Sequence, residues 1–191
     1  MVSSWIRRRF GRKQGLLRAA RSWTQWRAGR LADEENVPWA RVQRLVFVCH
    51  GNVCRSPYGE AKARVLGWET ASCGLFAKPG HPAEAAALAA AVRRGASLAS
   101  HRATSFDAFD WRPGDLLLCF EIGHAEECRR RLGDHTDIFV TLVGLYVRPR
   151  RPHIEDPFGL PDEYFDSCYE LIEEALDRIG RLRDAAREDS R

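Results

Sequence analysis

Leu45-Val46-Phe47-Val48-Cys49-His50-Gly51-Asn52-Val53-Cys54-Arg55-Ser56-Pro57 is the stretch that decides how this chain is read. Residues 45–48 are β-branched, aromatic and aliphatic without a break, the composition of a strand buried on both faces. The run stops at Cys49-His50-Gly51-Asn52, where turn formers begin. Ser56-Pro57 then opens a helix to about residue 66, with Ser suited to the N-cap and Pro to the first helical position.

Working outward, the same alternation recurs. A second strand at 69–73 ends at Gly74, and an Ala- and Leu-rich helix at 82–94 is stopped by Gly95. A third apolar strand at 116–120 precedes a helix at 124–132, and a fourth strand lies at 137–142. A loop punctuated by Pro149, Pro152, Pro157 and Pro161 leads to a final helix at 162–187. Its stripe of Tyr164, Phe165, Cys168, Leu171, Ile172, Ala175, Leu176 and Ile179 has helical spacing. Four strand–helix units predict an α/β fold of three layers: a four-stranded parallel sheet with helices on both faces. Ligands of such sheets sit at the carboxyl ends of the strands, where strand order reverses. Cys49 and the loop after it occupy such a place.

Each residue type in that loop has a chemical reason. A short loop closing on a helix N-terminus can turn its backbone N–H groups inward as an anion cradle, helped by the helix dipole. Gly51 and Asn52 tolerate the positive φ that such a curl requires. Arg55 offers a planar fork for two oxygens of a phosphate. The same positive surroundings favour Cys49 as a thiolate nucleophile, with Ser56 placed to hydrogen-bond its sulfur. The spacing of a Cys, five residues and an Arg is common by chance; its position between a buried strand and a Ser-Pro helix start makes it specific.

Composition sets the limits around this. The chain has 191 residues, is 45% hydrophobic and 29% charged, and contains no apolar run long enough to span a bilayer. The formal net charge of +4 averages two unlike pieces: residues 1–32 carry +9 with no Asp or Glu, and the other 159 carry −5. Residues 1–40 therefore read as a basic, Trp-rich N-terminal extension outside the core, 41–187 as the catalytic domain and 188–191 as a tail. The six cysteines read as reduced thiols of a cytoplasmic protein, because no signal peptide precedes them and the chain is too large to need disulfide staples. No Cys-x-x-Cys occurs, so neither zinc nor another metal is expected.

Val48-Cys49-His50-Gly51-Asn52-Val53-Cys54-Arg55-Ser56-Pro57 resembles the signature of the low-molecular-weight protein tyrosine phosphatases, with His50 and Val53 at variable sites. The resemblance runs through Ser72-Cys73-Gly74, Gly80-His81-Pro82 and Ser100-His101-Arg102-Ala103, over roughly residues 44–182. It implies the phosphotyrosine phosphatase I-like fold and hydrolysis of phosphotyrosine and aryl phosphates through a cysteinyl-phosphate, without a cofactor. The family's general acid lies in an Asp-Pro pair before the last helix, matched by Asp156-Pro157. Its phosphate-loop Asn is held by polar side chains, which Asn52, Ser56, Ser72 and His101 resemble; Ser72 and His101 also suit ordinary satisfied loop polars. Cys54 resembles the loop's second cysteine, which in the family can pair reversibly with the nucleophile, and it equally suits a small packing residue.

Some positions depart from the family. Phe158-Gly159 stands where many relatives have Tyr, and Phe158 can still wall a substrate ring. Phe76 is assigned to the same wall, although an aromatic after a strand also suits the core. Glu121 stands where relatives often have Asp, and Glu155 is expected to act on Asp156 as a neighbouring like charge. Two other functions stay open: arsenate reduction with Cys119 and Cys128 as relay thiols, and a catalytically silent phosphotyrosine-binding module. For residues 1–32 the open roles are contact with an anionic membrane surface, organellar targeting and a solvated extension; nothing beyond their composition supports nucleic acid as a partner.

Overall fold

The structure, a computed structural model, describes residues 3–188. Its centre is a parallel sheet of β1 (Arg44–Cys49), β2 (Thr70–Gly74), β3 (Asp115–Cys119) and β4 (Phe139–Leu142), in the order β2-β1-β3-β4. Every residue of β1 and β3 is buried: the apolar runs 45–48 and 116–118 face the helices on both sides, and the charged first residues, Arg44 and Asp115, pair with each other. Strand order reverses at β1, since the chain leaves it toward β2 on one side and returns as β3 on the other. The carboxyl end of β1 is thus the switch point, and Cys49 is its last residue.

Among the described residues, seven α-helices surround the sheet: α1 (Ser4–Phe10), α2 (Lys13–Arg27), α3 (Ala32–Glu35), α4 (Arg55–Val65), α5 (Ala85–Arg93), α6 (Ile122–Leu132) and α7 (Asp162–Glu188). α4, α5 and α7 pack on one another, whereas α6 packs on β3 and β4, giving the three-layer α/β arrangement. The predicted stripe of α7 is its buried side: Tyr164, Phe165, Cys168, Ile172, Ala175, Leu176 and Ile179 are all in the core, with Leu171 partly buried against it. Burying each of the larger side chains stabilises by roughly 1.5–3 kcal/mol. α5 starts later than its sequence suggests. Glu84 acts as its N-cap, its carboxylate accepting from the Ala86 and Ala87 N–H groups, so Pro82 stays outside.

The N-terminal forty residues do not stand wholly outside the core, as their composition suggested. Leu31 and Val37 belong to the main hydrophobic cluster. The Glu34 carbonyl accepts from Thr141 Oγ1 on β4, and its carboxylate pairs with Arg129 of α6 at 2.6 Å. α1 packs on α7. Sequence periodicity gave no sign of this, because the partners lie about a hundred residues or more along the chain. Of the expected tail at 188–191, only Glu188 is among the described residues, and it ends α7.

Candidate active site

The loop between β1 and α4 is held open at the end of β1. Asn52 adopts φ 53°, the left-handed region that the curl demands and that Asn tolerates. Its side chain is fully used: Nδ2 donates to Ser56 Oγ and Ser72 Oγ, both at 2.8 Å, and Oδ1 accepts from the Thr104 N–H at 2.8 Å. His101 Nε2 lies 2.7 Å from the Asn52 carbonyl oxygen, and Ser72 in turn donates to Glu60 Oε2 at 2.6 Å. The expected group of Asn52, Ser56, Ser72 and His101 is therefore one network. Gly74 is the residue that lets the loop close. A Cβ there would come within 2.7 Å of the Asn52 backbone N, and the following N–H groups of Leu75 and Phe76 bond the Cys49 and His50 carbonyls.

Cys49 Sγ lies 3.0 Å from Ser56 Oγ and is 2% exposed at the base of a cleft of about 280 Å³. His50, Gly51, Val53 and Cys54 line that cleft from the loop, and Phe76, Lys78, His81, Asp156 and Phe158 line it from other segments. The two aromatics assigned from sequence to the wall are both at the mouth and largely exposed. Phe76 is braced there, with the His50 ring 4.8 Å from its own and the Arg131 guanidinium 5.1 Å over its face. Lys78 had no sequence signal, and His81 was marked only as part of the Gly80-His81-Pro82 match, with no role at the cleft.

Arg55 is completely buried, and its guanidinium is divided in two. Nη1 donates to Glu121 Oε1 at 2.7 Å and to the Ile154 carbonyl at 2.8 Å, which fixes the plane. Nε and Nη2 have no hydrogen-bond partner; Asp156 Oδ2 stands 3.1 Å from Nη2 but out of line for a bond. The backbone N–H groups of Gly51, Asn52, Val53 and Cys54 likewise have none among the described residues. Buried donors left free at one place are costly unless an anion meets them. Burial alone would lower the pKa of Arg55, but the charges of Asp156 and Glu121 outweigh it and raise it. Burial would raise that of Glu121, and the opposing pull of Arg55, then of His124 and His153, leaves it below the ordinary value. Glu121, between β3 and α6, is the site residue that sequence marked only as a departure.

Neighbouring groups are held neutral. Burial, followed by the charge of Arg55, drops the His124 pKa to about 3. Burial also pushes the Cys54 thiol well up, with the charges of Asp156 and Cys49 adding to it, and raises that of Cys168 to about 12. Glu155 differs from expectation: its carboxylate is turned to Arg12, Arg18 and His153 instead of standing as a bare charge beside Asp156. Cys119 and Cys128 lie with their sulfurs 3.7 Å apart, both fully buried.

Comparison with known proteins fits this geometry. A family profile described as low molecular weight phosphotyrosine protein phosphatase matches residues 44–188. The chain is 30% identical over 137 residues to the low molecular weight protein-tyrosine-phosphatase Etp of Escherichia coli K12, covering 71% of this chain and 90% of that protein. It is 31% identical over 141 residues to a protein-arginine-phosphatase of Geobacillus stearothermophilus, covering 71% and 93%. Among solved structures, the tyrosine phosphatase Wzb of Escherichia coli K30 in complex with sulphate superposes with a TM-score of 0.62 at 31% identity, covering 74% of this chain and 99% of that one.

Proposed function

Because the chain belongs to the low molecular weight phosphotyrosine protein phosphatase family, we propose that it hydrolyses phosphotyrosine in proteins, and simple aryl phosphates, through a cysteinyl-phosphate. The observation that carries this reading is the buried guanidinium of Arg55, whose Nε and Nη2 make no hydrogen bond, beside a cradle of free N–H groups and the Cys49 sulfur. A phosphoryl group is the ligand that satisfies all of them at once. Cys49 thiolate attacks phosphorus in line, forming the S–P bond as the P–O bond to the phenol breaks. Arg55 and the loop amides hold the three non-bridging oxygens through the transition state. Asp156 gives its proton to the departing phenolate. Water, losing a proton to Asp156, then attacks phosphorus, and Cys49 leaves as thiolate with the Ser56 hydroxyl donating to it.

The wall chemistry favours tyrosine over arginine as the phosphorylated residue. Val53, Phe76 and Phe158 present apolar and aromatic surface, which suits a phenyl ring. Lys78 and His81 give a guanidinium no acceptor of negative charge, leaving Asp156 as the one carboxylate of the lining. Burial of both Cys119 and Cys128 disfavours a disulfide relay that has to reach solvent. The test is release of phosphate from a phosphotyrosine peptide and from the same peptide carrying phosphoarginine. We expect the first to be the better substrate and Cys49→Ser to abolish turnover. Preference for phosphoarginine would move the substrate assignment, and turnover unaffected by Cys49→Ser would refute the mechanism.

A second reading concerns residues 1–32. Exposed Trp5, Leu17 and Trp23 alternate with exposed Arg7, Arg8, Arg21 and Arg27, and no described helix is long and apolar enough to cross a membrane. This composition supports peripheral contact with an anionic bilayer surface.

A further inference from the structure

The segment before the family's matched region grips the loop that carries Asp156. Glu155, its immediate neighbour, has a carboxylate only 2% exposed. Arg12 Nε donates to Glu155 Oε1 at 2.6 Å, and Arg18 Nη1 reaches Oε1 at 3.0 Å and Oε2 at 3.2 Å. His153 Nε2 lies 2.9 Å from Oε2. Two of the three partners therefore come from the N-terminal segment, with Arg12 just before α2 and Arg18 within it. A carboxylate so enclosed is tolerable only when paired, and removing its partners leaves a buried charge that drives rearrangement.

The backbone is engaged as closely. Arg151 Nη1 donates to the Arg9 carbonyl at 2.7 Å, and its guanidinium sits 4.5 Å over the Phe10 ring. Gly11, at φ +73°, lets the turn between α1 and α2 seat on the far end of the same loop. A Cβ there would lie 2.4 Å from Leu160 and 3.0 Å from Tyr164. Tyr164 closes the circle by donating its hydroxyl to the Glu155 carbonyl at 3.2 Å. Residues 151–160 are thus fixed on one side by Arg55 through the Ile154 carbonyl and on the other by residues 9–18.

We propose that residues 9–18 are a strap that positions the general-acid loop, with Arg12 and Arg18 as positioning residues acting through Glu155 on Asp156. The proposal rests on Asp156 being the acid. The strap touches neither substrate nor phosphate; it holds the proton donor at the leaving oxygen. Its loss therefore costs most where that proton is most needed, on phosphate esters of weakly acidic phenols. A phenol acidic enough to leave unaided is indifferent to it.

The experiment measures kcat/KM for the full chain over aryl phosphates from phenyl to dinitrophenyl. Arg12→Ala/Arg18→Ala is expected to lose about 10- to 100-fold on phenyl phosphate, the cost of an ångström-scale misplacement, while dinitrophenyl phosphate stays within about threefold of the parent. Arg12→Lys/Arg18→Lys should restore most of the loss. Glu155→Gln, which keeps size and hydrogen-bonding capacity, should steepen the leaving-group dependence from the loop side. An equal loss on every ester, or none, in both Arg12→Ala/Arg18→Ala and Glu155→Gln would overturn the strap. Asp156→Asn in the same series separates the two readings. If its dependence does not steepen, Asp156 is not the acid; if it steepens and the strap variants do not, only the strap fails.

Discussion

Arg55 is anchored by two bonds that use one nitrogen, so that its remaining two face the cradle. Lysine cannot reproduce that division, because a single ammonium would have to satisfy Glu121, the Ile154 carbonyl and the phosphoryl oxygens together. Arg55→Lys should therefore lower kcat/KM on an aryl phosphate by about 10²–10³-fold, the weight of a lost transition-state donor. Steady-state kinetics would show it, and a loss under about tenfold would mean that the amides alone hold the oxygens. The two buried sulfurs at Cys119 and Cys128 make the opposite case. Cys119→Ser/Cys128→Ser should keep turnover within about twofold, at some cost in thermal stability, since two hydroxyls enter an apolar site; collapse of turnover in folded protein would restore the relay. At this scale the sequence was most legible where neighbours in the chain do the chemistry, as from Cys49 to Ser56. It was least so where a partner comes from another strand. Glu121 is 66 residues from Arg55, and nothing in its surroundings announces a bond.

The elements were readable because their signals are local. Apolar runs mark β1 and β3 most clearly, and the stripe of 162–187 marks α7, whose buried residues match it apart from Tyr169, which the stripe left out. Helix starts were less so, because a cap can displace them, as Glu84 displaces α5. The loop of 151–160 shows a different limit, since it is held by ion pairs from Arg12, just before α2, and Arg18, within it, that no periodicity reveals. Its pH behaviour follows from Glu155. Burial would raise that carboxyl, but the bonds from His153 and Arg12 and the charge of Arg18 outweigh it and bring the pKa down to about 2. An unfolded Glu titrates near ~4.3, so the folded value is depressed. The stabilisation is then complete above that pH and is lost as pH falls toward about 2. Glu155→Gln removes it at every pH. Denaturation curves should show the variant less stable than the parent at pH 6, with the gap closing toward pH 2.5. A gap that is constant with pH would mean that Glu155 carries no charge-dependent stability.

For the whole molecule, the division of charge is used in part within the fold. The basic first 32 residues face an acidic body, and the body has already used part of that charge. Arg12 and Arg18 share the single negative charge of Glu155, while Arg7, Arg8, Lys13, Arg21, Arg27 and Arg30 are exposed without a share in it. Composition alone could not separate these two sets, because an arginine paired with a buried carboxylate reads like one that faces water alone. The separation makes the membrane proposal specific. If an anionic bilayer is the partner, each exposed cation near the surface contributes about 1 kcal/mol, and the attraction decays over roughly 10 Å in 0.1 M salt. Co-sedimentation with phosphatidylserine vesicles should therefore weaken steeply as salt is raised, and Arg7→Ala/Arg8→Ala/Arg21→Ala should reduce it strongly. Arg12→Ala/Arg18→Ala should reduce it less, since Glu155 already offsets one of those two charges. Equal loss in both sets would mean that binding follows net charge alone, and no binding in low salt would assign the basic segment wholly to the acid loop.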